Sequence, residues 1–369
     1  MSPLRSLGTL ALLCGLLLGC APARSAGPPS GADSREAAPA VARAAPAATL
    51  APLTPPVPVR LGIKLGASMS DAGIYIAQDR GYFQEQGLEV EYINFDSGSR
   101  MIAPLSSGQI DVAAGATSAG LFNAWNRDIP IKVVADKGSQ PPGFGYMAVV
   151  VRKDLIDSGQ VRDWADLRGL TIAVVSFGIT DHHTVAKALA LGGLSPSDAQ
   201  LVEIPFPDQM VGLRNRSLDA ALAIEPFITK MVDDGIAVRW RGSDEIYPEQ
   251  LTAAILYSPT FARTEAALRW MIAYLKGVRD YNDAFQRNRG RDQIIEILTR
   301  NIKGIDAATY ARIVPPGLDP DGRFNPASVA ADASFYYEQG LLKQPIDVMQ
   351  LIDLSFAEQA AAYLGPYRE

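Results

Sequence analysis

From Val59 onward, short apolar runs alternate with stretches of helical spacing, and the alternation runs through the chain twice. Strands expected over 59–65, 88–95, 110–114 and 131–135 enclose helices over 72–80, 100–106 and 117–127. A second set follows, with strands over 147–151, 171–175, 201–206 and 218–224 and helices over 163–167, 181–191 and 208–215. Strands spaced by helices of this length imply parallel sheets with right-handed crossovers. The remainder reads as mainly helical, over 264–287, 291–300, 306–313, 327–339 and 346–361, apart from a strand over 253–257 that returns to the first sheet. The expectation is an α/β chain of two lobes separated by a cleft. Lobe I takes 59–146 plus 251–369, including the C-terminal helices, and lobe II takes 147–250.

Composition narrows the function. The 369 residues are 48% hydrophobic, enough for one or two packed cores, and 34 basic against 40 acidic residues give a formal charge of −6. No Lys/Arg cluster stands out, which disfavours nucleic acid as a partner. The two His are adjacent and the two Cys both precede residue 21. That leaves no ligand spacing for zinc and no internal disulfide, so stability must come from burial. No phosphate loop, nucleophile elbow or other cofactor motif is present, so no cofactor, metal or catalytic residue is expected.

The first residues carry a different message. One Arg and no acid precede an apolar run over 7–19, too short to span a bilayer comfortably. The run ends in Leu17-Leu18-Gly19-Cys20, which resembles the lipobox of bacterial lipoprotein signals. That resemblance makes 1–19 a removable leader, Cys20 the lipid-bearing N-terminus and the mature protein a membrane-anchored one outside the cytoplasm. Residues 20–58 are rich in Ala and Pro and hold no aromatic side chain. Such a segment buries too little to offset ordering, and is expected to be a disordered tether outside the fold.

The two-lobed portion is familiar. Ala77 through Val90 follows the pattern A-x-x-x-G-Y-F-x-x-x-G-L-x-V, supported by Ser97-Gly98-Ser99, Ser107 to Val112, Leu167-Arg168-Gly169, Ser176 to His182 and Leu218 to Ala221. In this it resembles the solute-binding proteins of ABC importers of the nitrate, sulfonate and taurine type, related to thiamine-precursor-binding proteins. The resemblance implies a type II periplasmic-binding-protein fold, a monomer that binds a small organic solute, and delivery to ABC permease and ATPase subunits. Two alternatives stay open. Pyrimidine-synthesising enzymes share the fold but use a Cys-rich signature and a cofactor Lys, and a sensing partner of a membrane receptor would look the same in sequence.

Ligand candidates belong at the C-terminal ends of strands, where open α/β sheets form their crevice. Four loops qualify: Ser68, Met69, Ser70 and Asp71; Ser97, Gly98 and Ser99; Thr117 and Ser118; and Ser176, Thr180, Asp181 and His182. Each sets small hydroxyls at a helix start, which suits either an acceptor group of a ligand or ordinary helix capping. Phe144, Tyr146 and Phe177 are candidates for an aromatic wall, and Arg100 for a ligand anion or for water. Glu225, before Pro226, either faces the cleft and favours an amine or ring N–H, or caps the following helix. Gly81, Gly87, Tyr82 and Phe83 read as scaffold.

Overall fold

The computed structural model describes residues 50–66, 68–302 and 306–368. The leader, Cys20 and the tether up to residue 49 lie outside the described residues.

Among the described residues, ten strands form two five-stranded sheets. β1 (Val57–Ile63), β2 (Leu88–Asn94), β3 (Val112–Gly115) and β4 (Lys132–Ser139) are joined by β10 (Leu251–Tyr257) in the order β2-β1-β3-β10-β4. The second sheet holds β5 (Met147–Arg152), β6 (Thr171–Val174), β7 (Gln200–Glu203), β8 (Ala220–Ile224) and β9 (Ala237–Gly242) in the order β7-β6-β8-β5-β9. Each sheet is mixed rather than parallel. β10 runs antiparallel to β3 and β4, and β5 antiparallel to β8 and β9. The reason is the double crossing: the strand that follows each crossover enters against the sense of its neighbours.

Central strands such as β8 (AALAI) and β10 (LTAAILY) are buried along their whole length, as strands covered by helices on both faces must be. Under the first sheet, Trp270, Tyr257, Tyr274 and Phe83 are fully buried in one core. The 23-residue helix Glu265–Arg287 crosses the helix Ala72–Asp79 there at two glycines. A Cβ on Gly277 would overlap the Gly73 carbonyl oxygen and sit 2.9 Å from Ala77 N, with backbone on that side and no room to relax. Gly277→Ala is therefore expected to cost on the order of 2–3 kcal/mol despite its better helix propensity, measured by urea unfolding. A stabilised Gly277→Ala protein would show that the crossing is loose.

The structure corrects several expectations. Residues 50–58 are not tether: Leu50 and Leu53 pack on the first core, and Leu53 and Val57 N–H groups donate to the Gln86 and Gly87 carbonyls. Gly87 has φ +73, and a Cβ there would strike the Leu53 backbone. The strand expected over 201–206 stops at Glu203, because Pro205 precedes the helix Phe206–Arg214. β9 had no signal, since Arg239 and Arg241 break its apolar pattern at the sheet edge. The helix expected over 306–313 shrinks to Ala307–Tyr310 ahead of Pro315-Pro316. The helix expected over 346–361 splits into a turn at Val348–Gln350 and the helix Ser355–Leu364, with Asp353 Oδ1 accepting from Ser355 N at 3.2 Å.

Two segments join the sheets, and they are tied to each other. Gln140 N–H donates to Gln250 O at 3.1 Å, and Glu249 N–H to Gln140 O at 2.9 Å. Beside them the helix Pro326–Glu338 packs on the helix Thr180–Leu191 of the second lobe. His183 Nδ1 lies 2.6 Å from Asp332 Oδ1, and its ring stacks on Phe335 at 4.3 Å.

Candidate functional site

The C-terminal ends of β1, β2 and β3 face those of β6, β7 and β8 across a cavity of about 160 Å³. The first lobe contributes Ser68, Asp71, Ser97, Gly98, Ser99 and Lys137; the second contributes Ser176, Thr180 and Asp181. Met101, Met147, Ile179, Ile224 and Phe206 supply apolar wall, and Tyr146 and Thr252 close the end nearest the crossovers. Small organic ligands are held in this manner, by apolar lining with a few fixed polar groups.

The polar groups are placed by their elements. Ser68 caps the turn Met69–Asp71, its Oγ accepting from Ser70 N at 3.1 Å. Asp71 and Lys137, both buried, form an ion pair, and Lys137 Nζ also donates to Ser70 Oγ at 3.0 Å. Burial pushes the Asp71 carboxyl up, and the Lys137 ammonium draws it back. Tyr146 and Thr252 share a 2.8 Å hydroxyl hydrogen bond, and the Thr252 hydroxyl donates to the Gly138 carbonyl at 2.6 Å. Thr180 Oγ1 reaches from the second lobe to Thr252 O at 3.2 Å. At the rim, Ser118 and Ile179 form an antiparallel bridge, with Ala119 N–H donating to Gly178 O at 2.8 Å.

Asp181 differs from the others. It sits in the first turn of the helix Thr180–Leu191, and Val175 N–H donates to its Oδ2 at 2.5 Å. Its Oδ1 is buried and has no partner. Burial raises its pKa to about 7, against backbone N–H donors that pull the other way.

Several expected residues fall elsewhere. Met69 is fully buried in the first core, because the turn it begins folds under the sheet. Ser70 stands one step back from the cavity, as the partner of Lys137. Thr117 is buried off the cavity, and Ser118 is spent on capping Leu121 N at 3.2 Å. Phe144 lines a separate cavity of about 420 Å³ with Pro141, Gly317 and Phe324. His182 packs between Phe177 and Phe335 at 4.9 and 5.0 Å, and its Nδ1 accepts from Gly178 N at 3.4 Å. Burial first, and then His183, lowers its pKa to about 4, so it is neutral at pH 7. Arg100 points outward, 3.4 Å from Asp96. Glu225 accepts from Thr229 N at 3.1 Å, Thr229 Oγ1 at 2.8 Å and Val314 N at 3.5 Å, with Arg239 Nη1 at 3.7 Å. Both its oxygens serve the protein, so it caps the helix Phe227–Asp233 from a buried position and is not part of the cavity lining.

Lys137, Tyr146 and Thr252 hold the cavity floor. Tyr146 is among the aromatic-wall candidates of the sequence, while Lys137 and Thr252 are not among its site candidates. The apolar run of β4 ends at Ala135, yet the strand continues to Ser139 and carries Lys137 inward. A Lys two residues past such a run, with Asp and Gly beside it, was the available signal.

The sequence model of the family described as NMT1/THI5 like matches residues 69–278, more than half of the chain. The chain belongs to the NMT1/THI5-like family. Over 159 residues it is 27% identical to the taurine-binding periplasmic protein of Escherichia coli K12, covering 42% of this chain and 46% of that protein. Over 158 residues it is 28% identical to the 4-amino-5-hydroxymethyl-2-methylpyrimidine phosphate synthase of Aspergillus parasiticus, covering 36% of this chain and 44% of that enzyme. The match therefore spans about half the length of these relatives. In structure, the periplasmic aliphatic sulphonate binding protein SsuA of Escherichia coli superposes with a TM-score of 0.65 at 20% identity, over 81% of this chain and 92% of that one. The two-lobed α/β fold is that of periplasmic binding proteins.

Proposed function

We propose that this NMT1/THI5-like chain is an extracytoplasmic solute-binding protein of an ABC importer. It takes a small organic solute into the cavity between its lobes and delivers it to a membrane permease and its ATPase. The observation that carries this reading is the cavity itself, small, apolar-walled and set with polar side chains from both sheets. A guest touching Ser97–Ser99 on one side and Thr180–Asp181 on the other binds best when the lobes approach, which couples occupancy to shape. The lobes divide near Met147 and Gln250, the lipid anchor is at Cys20, and the working form is a monomer. The taurine- and sulphonate-binding proteins among its relatives favour a sulfonate or taurine-like solute, and the pyrimidine phosphate synthase a pyrimidine or vitamin-precursor-like one.

That synthase also supplies the second reading, an enzyme on the same fold. The two are separated by one experiment. A thermal-shift screen of sulfonates, nitrate, pyrimidines, flavins, polyamines and aromatic acids should yield a compound that raises Tm and is recovered unchanged. Stabilisation grows as RT ln(1 + [L]/Kd), about 2.7 kcal/mol at a hundredfold excess over Kd. Consumption of the stabilising compound would favour the enzyme, and a screen with no hit would count against a receptor for these classes.

A further inference from the structure

We infer that Asp181 sets ligand specificity, its free oxygen receiving an N–H group of the solute, so that the cavity selects amine-bearing or N–H-donating molecules over bare oxyanions. The inference rests on the interlobe cavity being the binding site and names the chemical class that the site takes.

Three observations converge on it. First, Asp181 Oδ1 is buried without a hydrogen-bond partner, while the residue lines the cavity. An unsatisfied buried acceptor costs on the order of 1–3 kcal/mol, more when charged, and a well-packed fold retains one where a ligand completes it. Second, the carboxylate cannot turn away. Val175 N–H holds Oδ2 at 2.5 Å, and the residue is fixed in the first turn of a 12-residue helix. Third, the buried charges of the lining do not balance. Lys137 is committed to Asp71, which leaves Asp181 as a second buried carboxylate with no cation of its own. Lys64 and Asp96 also line the cavity but reach solvent, where Asp96 is paired with Arg100. Where Asp181 is ionised, a lone oxyanion adds a further negative charge to this set. An ammonium, amidine or amino N–H supplies the missing donor.

The test uses matched pairs that differ by one amino group: taurine with ethanesulfonate, β-alanine with propionate, and 4-aminopyrimidine with pyrimidine. Affinities are measured by calorimetry on the native chain, on Asp181→Asn and on Asp181→Ser, with melting curves confirming that the variants are folded. In at least one pair the amino member should bind about tenfold or more tightly, the scale of a charge-assisted hydrogen bond. Both variants should erase that gap, with the compound lacking the amino group bound as tightly as before or more tightly. An unchanged gap in the variants overturns the inference, as does equal binding of the two members in every pair that binds. Ser99→Ala separates the two levels of the reading. A probe weakened by Ser99→Ala but indifferent to Asp181 overturns the role of Asp181 alone, and a probe indifferent to both lies outside the cavity and overturns the site as well. Failure of all six probes to bind at millimolar concentration overturns the assignment of ligand class.

Discussion

Replacing Lys137 by Ala should destabilise the protein by about 3–5 kcal/mol, the loss expected when one partner of a buried ion pair is removed and the other stays behind. Lys137 and Asp71 are 5% and 3% exposed at their side chains, so water cannot replace the missing ammonium. The remaining Asp71 must stay charged without a partner or take up a proton, and burial already pushes it toward the neutral form. The loss should therefore be greater at pH 8 than at pH 5, where protonation relieves it. Asp71→Asn combined with Lys137→Met removes both charges and should recover most of the stability. Equal losses in the single and double variants would show that Lys137 acts by packing alone. Denaturant unfolding at the two pH values decides.

The second large effect is a rise in stability on acidification of the ligand-free protein. The Asp181 carboxyl gives up its proton near pH 3.8 in an unfolded chain and at about 7 in the fold. Between these values the native state binds more protons, so stability falls as pH rises through the window, by about 1.4 kcal/mol per unit. Asp136, fully buried and also raised to about 7 chiefly by burial, contributes with the same sign. His182 opposes them: its pKa falls from 6.5 to about 4, so the native state binds fewer protons and stability falls as pH drops through that range. Two acids shifted by about three units outweigh one imidazole shifted by less. In Asp181→Asn the slope between pH 4.5 and 7 should flatten by about 1 kcal/mol per unit. Parallel stability curves for the native chain and the variant would remove Asp181 as a titrating group.

Much of the architecture was open to reading because it depends on local pattern. Apolar runs of strand length, polar turns and helical spacing each rest on a few neighbouring residues, and the two βα sets and the returning strand follow from them. What escaped depended on partners distant in sequence. β9 is held by β5 despite its arginines, and 50–58 is ordered by Gly87 and the first core. The same division runs through the cavity. Ser97, Ser99, Ser176, Thr180 and Asp181 stand at strand ends, a position that a strand pattern locates. Lys137 takes its meaning from Asp71 and from the length of β4, neither visible in its own neighbourhood. Glu225 and His182 carried suggestive chemistry, but Thr229, Val314, Phe177 and Phe335 engage them first.

The way the second sheet is inserted has a consequence for how the chain matures. Ser139 at the end of β4 is paired with Leu251 at the start of β10, so everything between leaves and rejoins the first sheet at one rung of its ladder. β3 and β4 do not touch each other; β10 stands between them. A chain emerging from its N-terminus thus presents two strands with a vacant slot, and must build an entire second core before the residue that fills the slot arrives. The inserted half is contiguous and can condense on its own schedule, whereas the half that begins first finishes last.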